Sequence, residues 1–224
     1  VRPWEGVVPP EEIALHERRQ GSIQRAPRFG ERIAVVVVDM TREFTDSAFH
    51  TGHSETGDPA VVANAELLEV ARAAGCPVVF TRQLMQDDVL PGVTGPRRWT
   101  LTDQGGALLQ NPTGGSDFDE RILPQAGDLV LAKPKPSGFH GTFLQDFLTT
   151  HRVDTVVVTG MVTSGCVRAT VIDAYMNNHF VVVPEECTAD WSPFQHATSL
   201  FDMHVKYADV APLADVVAHL RALA

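Results

Sequence analysis

Cysteine is scarce in this sequence: three among 224 residues. The number is odd and far too small for a disulfide framework, so a reducing compartment is expected. Long apolar runs are missing as well. The longest, Ile33 to Val38, falls far short of the roughly 20 residues that cross a bilayer. No basic stretch followed by an apolar one opens the chain, so neither a membrane span nor a secretory signal is expected. Positive charge is in the minority, with 18 Lys and Arg against 28 Asp and Glu for a net charge of −10. That balance argues against nucleic acid or an anionic membrane as a partner. Phosphate-binding loops are absent too. The glycine pairs at 105–106 and 114–115 stand in neither a strand–GxGxxG–helix nor a P-loop context, so no dinucleotide or nucleotide site is expected. These absences leave an acidic globular protein, expected to be soluble and cytoplasmic.

What is present is a patterned core. Hydrophobic residues make up 44% of the chain, and an α/β domain of this size buries roughly 70% of its unfolded surface without a disulfide or metal staple. Residues 1–31 are polar and irregular apart from a short helical stretch, Glu11 to Arg19. They read as an N-terminal arm that packs on the domain or on a neighbouring subunit. Residues 32–224 form the domain. The β-branched run Ile33–Val38 is a strand covered on both faces. Asp58-Pro59 then opens a helix as N-cap and first turn, which Gly75 ends. Further strands are expected at Pro77–Thr81, at Asp128 to Lys133, at Thr155–Val158 running into Thr159-Gly160, at Phe180–Val183 and at Ala208–Val210. Helices are expected at Thr142–Thr150, Ser164–Asn177, Pro193–Val205 and Pro212–Leu223. Between Arg82 and Gly127 the periodicity lapses into Pro-Gly, Gly-Pro, Gly-Gly and Asn-Pro punctuation, a loop long enough to be functional and a candidate lid. Strand–helix alternation at this rhythm builds right-handed βαβ units. The fold class is therefore α/β, a three-layer α/β/α domain around an open parallel sheet of about six strands with Rossmann-like topology.

Such sheets bind ligands beyond the carboxyl ends of their strands. Three reactive side chains fall at or just past three strand ends: Asp39, Lys133 and Cys166, separated by 94 and 33 residues. Cys166 follows a small-residue turn after the Thr155 strand, at about the start of a helix. Backbone N–H groups and the helix dipole there are expected to lower its pKa and to hold an oxyanion. Lys133 stabilises negative charge, and Asp39 takes the thiol proton and returns it to a leaving group. The alternative is a small buried cysteine without chemistry.

Three strings carry a resemblance: Val36-Val37-Val38-Asp39-Met40, then Lys133-Pro134-Lys135-Pro136-Ser137-Gly138-Phe139-His140-Gly141-Thr142, then Thr159-Gly160-Met161-Val162-Thr163-Ser164-Gly165-Cys166-Val167-Arg168-Ala169-Thr170. In this order and spacing they resemble the isochorismatase-like cysteine hydrolases, and within them the N-carbamoylsarcosine amidohydrolase branch, from about Arg32 to the C-terminus. The resemblance implies an Asp-Lys-Cys triad on Asp39, Lys133 and Cys166. Lys135 competes for the lysine role, but the family's lysine stands six residues before the phenylalanine, as Lys133 does before Phe139. It also implies a cis peptide between Met161 and Val162, which aims the Val162 N–H, with that of Cys166, at the substrate carbonyl oxygen. True isochorismatases cleave a vinyl ether without a cysteine nucleophile, so Cys166 points away from that activity.

Nicotinamidases of the family carry a metal held by an Asp and a His just after the second strand. Here Gln83 and Met85 stand in those places, so no metal and no other cofactor is expected. His50 and His53 lack a third ligand. The expected partner is a small amide or carbamoyl substrate. Its carboxylate is to be read by an arginine, with Arg82, Arg97, Arg98 and Arg168 as candidates, and Phe44 and Trp99 are candidate pocket walls. Trp191 is another wall or a subunit contact, Cys76 and Cys187 are buried and inert, and Asp173 is structural. The resemblance further implies a homo-oligomer, dimer or tetramer. The expected activity is hydrolysis of a linear C–N bond through a cysteine thioester with release of ammonia. Maleamate or another amic acid is the alternative substrate, nicotinamide is less favoured, and a thiol-based binding or redox-sensing module is the non-enzymatic alternative.

Overall fold

The run Ile33–Val38 forms strand β1, and all six of its residues are buried. Burial on both faces follows from its place at the centre of the sheet, where neither face reaches water. The computed structural model describes residues 2–84 and 114–223. Within them the chain runs α1 (Pro10–Gln20), β1, α2 (Arg42–Thr45), α3 (Ser54–Ala73), β2 (Val78–Gln83), β3 (Leu129–Lys133), α4 (Leu144–Thr150), β4 (Thr155–Met161), α5 (Arg168–Met176), β5 (Phe180–Pro184), β6 (Thr188–Ala189), α6 (Pro193–Lys206), β7 (Asp209–Ala211) and α7 (Leu213–Arg221). The sheet order is β3-β2-β1-β4-β5-β7, with the two-residue β6 paired beside the end of β4. Every ladder is parallel.

Two apolar layers make this a three-layer α/β/α fold. One face of the sheet is covered by Leu144 and Leu148 of α4, Val171 and Ala174 of α5 and Leu200 and Met203 of α6. The other is covered by Val61, Leu67 and Leu68 of α3 and Val216, Val217 and Leu220 of α7. No described helix is long and apolar enough to cross a membrane.

Two helix starts differ most from the sequence reading. Helix α3 begins at Ser54, with Pro59 inside it rather than at its first turn. The earlier start is held by Ser47, whose hydroxyl accepts the Ser54 N–H at 2.9 Å. The helix expected from Ser164 opens instead as a wide π-type turn, Thr163–Val167, and becomes α-helical at Arg168.

The N-terminal arm packs on its own chain. Trp4, Val8 and Ile23 are buried in the α4–α6 layer, and Trp4 lies edge-on to Phe201 and over His204. Arg25 and Arg28 each engage one oxygen of Asp209, at 2.8 and 3.0 Å. His204 is fully buried at the centre of this contact. Its Nε2 donates to the Ile23 carbonyl at 2.5 Å, and its Nδ1 accepts the Val210 N–H at 3.1 Å. Protonation would turn that acceptor into a donor facing a donor.

Burial, together with Arg2 and Arg25, pulls the His204 pKa down to about 4. An unfolded histidine titrates near 6.5, so between these values the unfolded state binds more protons and stability falls as the pH drops. The full loss is about 3 kcal/mol. Urea midpoints are therefore expected to fall between pH 7 and pH 4.5, and His204→Gln should remove most of that difference. An unchanged pH slope in the variant would count against the assignment.

Candidate active site

Strands β1 and β4 are neighbours in space, yet β2 and β3 lie on the other side of β1. The chain therefore changes direction between β1 and β4, and such a switch point opens a crevice at the carboxyl ends of the strands. Asp39 follows β1 immediately and Cys166 lies just past β4. Gly160 permits the close approach of the two strands: a Cβ there would sit 1.9 Å from the Val38 carbonyl oxygen. Asp39 itself adopts φ +48, a left-handed conformation in which Asp is one of the few tolerated residues.

Lys133, the last residue of β3, is separated from β1 by β2, and its long stem reaches across the end of that strand. Its Nζ lies 2.7 Å from Asp39 Oδ2 and 3.3 Å from Cys166 Sγ, and also donates to the Lys135 carbonyl at 3.2 Å. Thr81 of β2 donates its hydroxyl to Asp39 Oδ1 at 2.8 Å. Asp39 is wholly buried and Lys133 is 2% exposed. The fold thus brings the three expected residues together. Lys135 contributes only its backbone carbonyl to the cluster.

The electrostatics differ from the sequence expectation. Burial and the neighbouring Asp39 carboxylate push the Cys166 thiol up to about 12, and Lys133 offsets only part of that. Burial and Asp39 thus favour the protonated thiol, the opposite direction to the lowering expected at a helix start. Burial disfavours the charge on Lys133, but Asp39 and Cys166 outweigh it and hold the ammonium above its ordinary value. The Met161–Val162 peptide is cis.

The remaining candidates disperse. Phe44 is buried in the cluster that holds Met161 and Val162. Arg168 is spent on an ion pair with Asp202 of α6 at 2.5 Å. Arg82, half-buried at the end of β2, forms no ion pair among the described residues. Trp191 donates its indole N–H to the Thr51 carbonyl at 2.8 Å, and Asp173 is half-buried on α5. Gln83 pairs with Lys133 in the β2–β3 ladder. His53 Nδ1 bonds to the Thr56 hydroxyl at 3.0 Å, and among the described residues no cluster of three or more His, Cys, Asp or Glu could hold a metal ion. Cys187 is fully buried and Cys76 half-buried, and burial raises both thiols. Met85, Arg97, Arg98, Trp99, the 105–106 glycines and most of the candidate lid lie outside the described residues.

Sequence reasoning missed Thr81, although the parallel register gives a signal for it. Thr81 pairs with Val38, the residue before Asp39. It also missed the partners of the nucleophile turn: Asp190 Oδ2 accepts the Ser164 N–H at 2.7 Å, and Thr163 Oγ1 lies 2.8 Å from His196 Nδ1.

Comparison with known proteins places the chain. A family model described as the Isochorismatase domain matches residues 33–215. The chain is 33% identical over 199 residues to the N-carbamoylsarcosine amidase of an Arthrobacter species, covering 87% of this chain and 74% of that one. It is 35% identical over 202 residues to a maleamate amidohydrolase of Pseudomonas putida, covering 88% and 90%. The crystal structure of N-carbamoylsarcosine amidase from Thermoplasma acidophilum superposes with a TM-score of 0.64 at 30% identity, covering 82% of this chain and 97% of that one.

Proposed function

The chain belongs to the isochorismatase-domain family, and from that premise we propose that it is a cysteine-dependent amidohydrolase. In this reading it cleaves the linear C–N bond of a small N-carbamoyl or carboxamide compound. The observation that carries the proposal is the Lys133 ammonium, buried and bonded at once to Asp39 and to the Cys166 sulfur. A lysine so placed supports either the Asp39 carboxylate or a Cys166 thiolate, and can follow the negative charge from one to the other.

In the proposed reaction, Asp39 takes the thiol proton as the sulfur attacks the amide carbon. Because the thiol is protonated at rest, this transfer accompanies attack and does not precede substrate binding. The oxyanion of the tetrahedral intermediate is held by the Val162 and Cys166 N–H groups. Asp39 returns the proton to the departing nitrogen, ammonia leaves, and a thioester remains. Water, deprotonated by Asp39, then hydrolyses the thioester and regenerates the thiol. With an N-carbamoyl substrate the product is a carbamate, which decays to carbon dioxide and amine. No step requires a cofactor.

N-carbamoylsarcosine and maleamate each carry a carboxylate a few bonds from the scissile amide, and the two relatives named for acting on them are similar to this chain at 33% and 35% identity. We carry that substrate class over: a small acid bearing a carbamoyl or amide group. Arg82 is proposed to read the carboxylate ahead of Arg168, whose guanidinium is already paired, and Phe44 to wall the pocket beside Val162.

Ammonia release from a panel of N-carbamoylsarcosine, other N-carbamoyl amino acids, maleamate, biuret and nicotinamide tests this reading. Turnover is expected on an acid-bearing linear amide, and preference for maleamate would favour the amic-acid alternative. No turnover on any of them would overturn the proposal in favour of a thiol-based binding or sensing module.

A further inference from the structure

Asp190 is 2% exposed, and no described ion pair includes it. A buried carboxylate without a cation is costly unless hydrogen bonds replace its water. Here two backbone N–H groups do so: Ser164 donates to Oδ2 at 2.7 Å and Trp191 to Oδ1 at 2.8 Å. Bonds of this kind to an ionised acceptor are the stronger ones. Ser164 is the second residue of the turn that carries Cys166. Asp190 also follows β6, whose register pairs Gly160 with Thr188 and Met161 with Ala189.

The segment from Asp190 to His196 ties the nucleophile turn to the start of α3. On the nucleophile side it grips Ser164 through Asp190, and Thr163 through the contact of its hydroxyl with His196. On the other side it grips the first turn of α3 and the loop before it. The Thr56 hydroxyl donates to the Asp190 carbonyl at 3.0 Å and accepts from His53 Nδ1, and the Trp191 indole donates to the Thr51 carbonyl.

We propose that Asp190 is a positioning residue: by fixing the Ser164 peptide it sets the directions in which the Val162 and Cys166 N–H groups point. The proposal rests on the reading of Cys166 as nucleophile. It has a distinctive consequence because two reactions of the same sulfur make different demands. Amide hydrolysis builds an oxyanion and needs both N–H groups aimed. Alkylation by iodoacetamide is a displacement at carbon in which the sulfur–carbon bond forms as iodide leaves, and no oxyanion develops.

Asp190→Asn keeps the shape but replaces one acceptor oxygen with an NH2, which faces one of the two N–H groups donor to donor. In this variant kcat on the preferred amide is expected to fall about 10- to 100-fold, with KM within about threefold of the wild type. Site-resolved alkylation of Cys166 by iodoacetamide at pH 8–9, read by peptide mass spectrometry, should stay within about twofold. Should Asp190→Asn not accumulate as folded protein, Thr56→Val releases the Asp190 carbonyl and His53 while leaving the Asp190 carboxylate bonds in place, and is expected to give the same split at smaller amplitude. An unchanged kcat, or alkylation falling in step with kcat, overturns the positioning role. Failure of the nucleophile reading is separately visible, because Cys166→Ala would then still turn over.

Discussion

Cys166→Ala is expected to reduce amide turnover to background, a loss of roughly 10⁵- to 10⁶-fold if the sulfur is the nucleophile, as removal of a catalytic nucleophile does elsewhere. The fold should survive. Cys166 is a small residue in the apolar layer beneath α5, and the Lys133–Asp39 pair at 2.7 Å does not depend on it. Removing the sulfur leaves one small gap and no uncompensated charge, so the stability change should stay near 1 kcal/mol. Ammonia release and a thermal melt on the same preparation check both halves. Residual turnover within tenfold of wild type, in a folded variant, would sink the covalent mechanism.

Asp39→Asn is expected to move two properties in opposite directions. Turnover should drop about 10²- to 10⁴-fold, the usual share of a positioned general base. The thiol should become easier to ionise. In the wild type, burial and then the Asp39 carboxylate hold the Cys166 pKa up, while Lys133 pulls it down. Neutralising Asp39 removes one of the two upward pushes and leaves the lysine with the sulfur as its remaining acidic partner. Alkylation of Cys166 near pH 8 should then be faster in the variant than in the wild type. Lys133→Met should slow it, and should also destabilise the protein by about 3–5 kcal/mol through the stranded Asp39 carboxylate. Peptide-resolved iodoacetamide labelling between pH 7 and pH 10 distinguishes these signs. Slower labelling in Asp39→Asn would show that the carboxylate activates the resting thiol instead of restraining it.

Much of this was legible in the chain. The β-branched runs at Ile33–Val38 and Thr155–Val158 announced central strands, because short β-branched runs favour a strand and one apolar at consecutive positions has both faces to bury. The ends of those strands, and of the one closing at Lys133, named the three residues that meet in the crevice. The resemblance implied a lysine six residues before the phenylalanine and so favoured Lys133 over Lys135, and the geometry has Lys133 touching both acid and thiol. Less legible were features set by a distant partner. Nothing near Ser54 marks it as a helix start, since the residue that satisfies its N–H is Ser47 across a loop. The polar arm gave no sign that Trp4 and Ile23 would lie against His204.

The sign of the thiol shift makes the division clearest. Local sequence places Cys166 at the head of a helical segment, and local physics there favours the thiolate. The folded chain buries the thiol and sets the Asp39 carboxylate beside it, and burial first and that charge second reverse the preference. The sequence by itself determined the strand ends and the three reactive residues they present. Only the tertiary structure decided the resting protonation of that site, the lysine bridge across β2 and the buried aspartate gripping the nucleophile turn. Each of these depends on distances between residues far apart in the chain, and no periodicity or local propensity carries those distances.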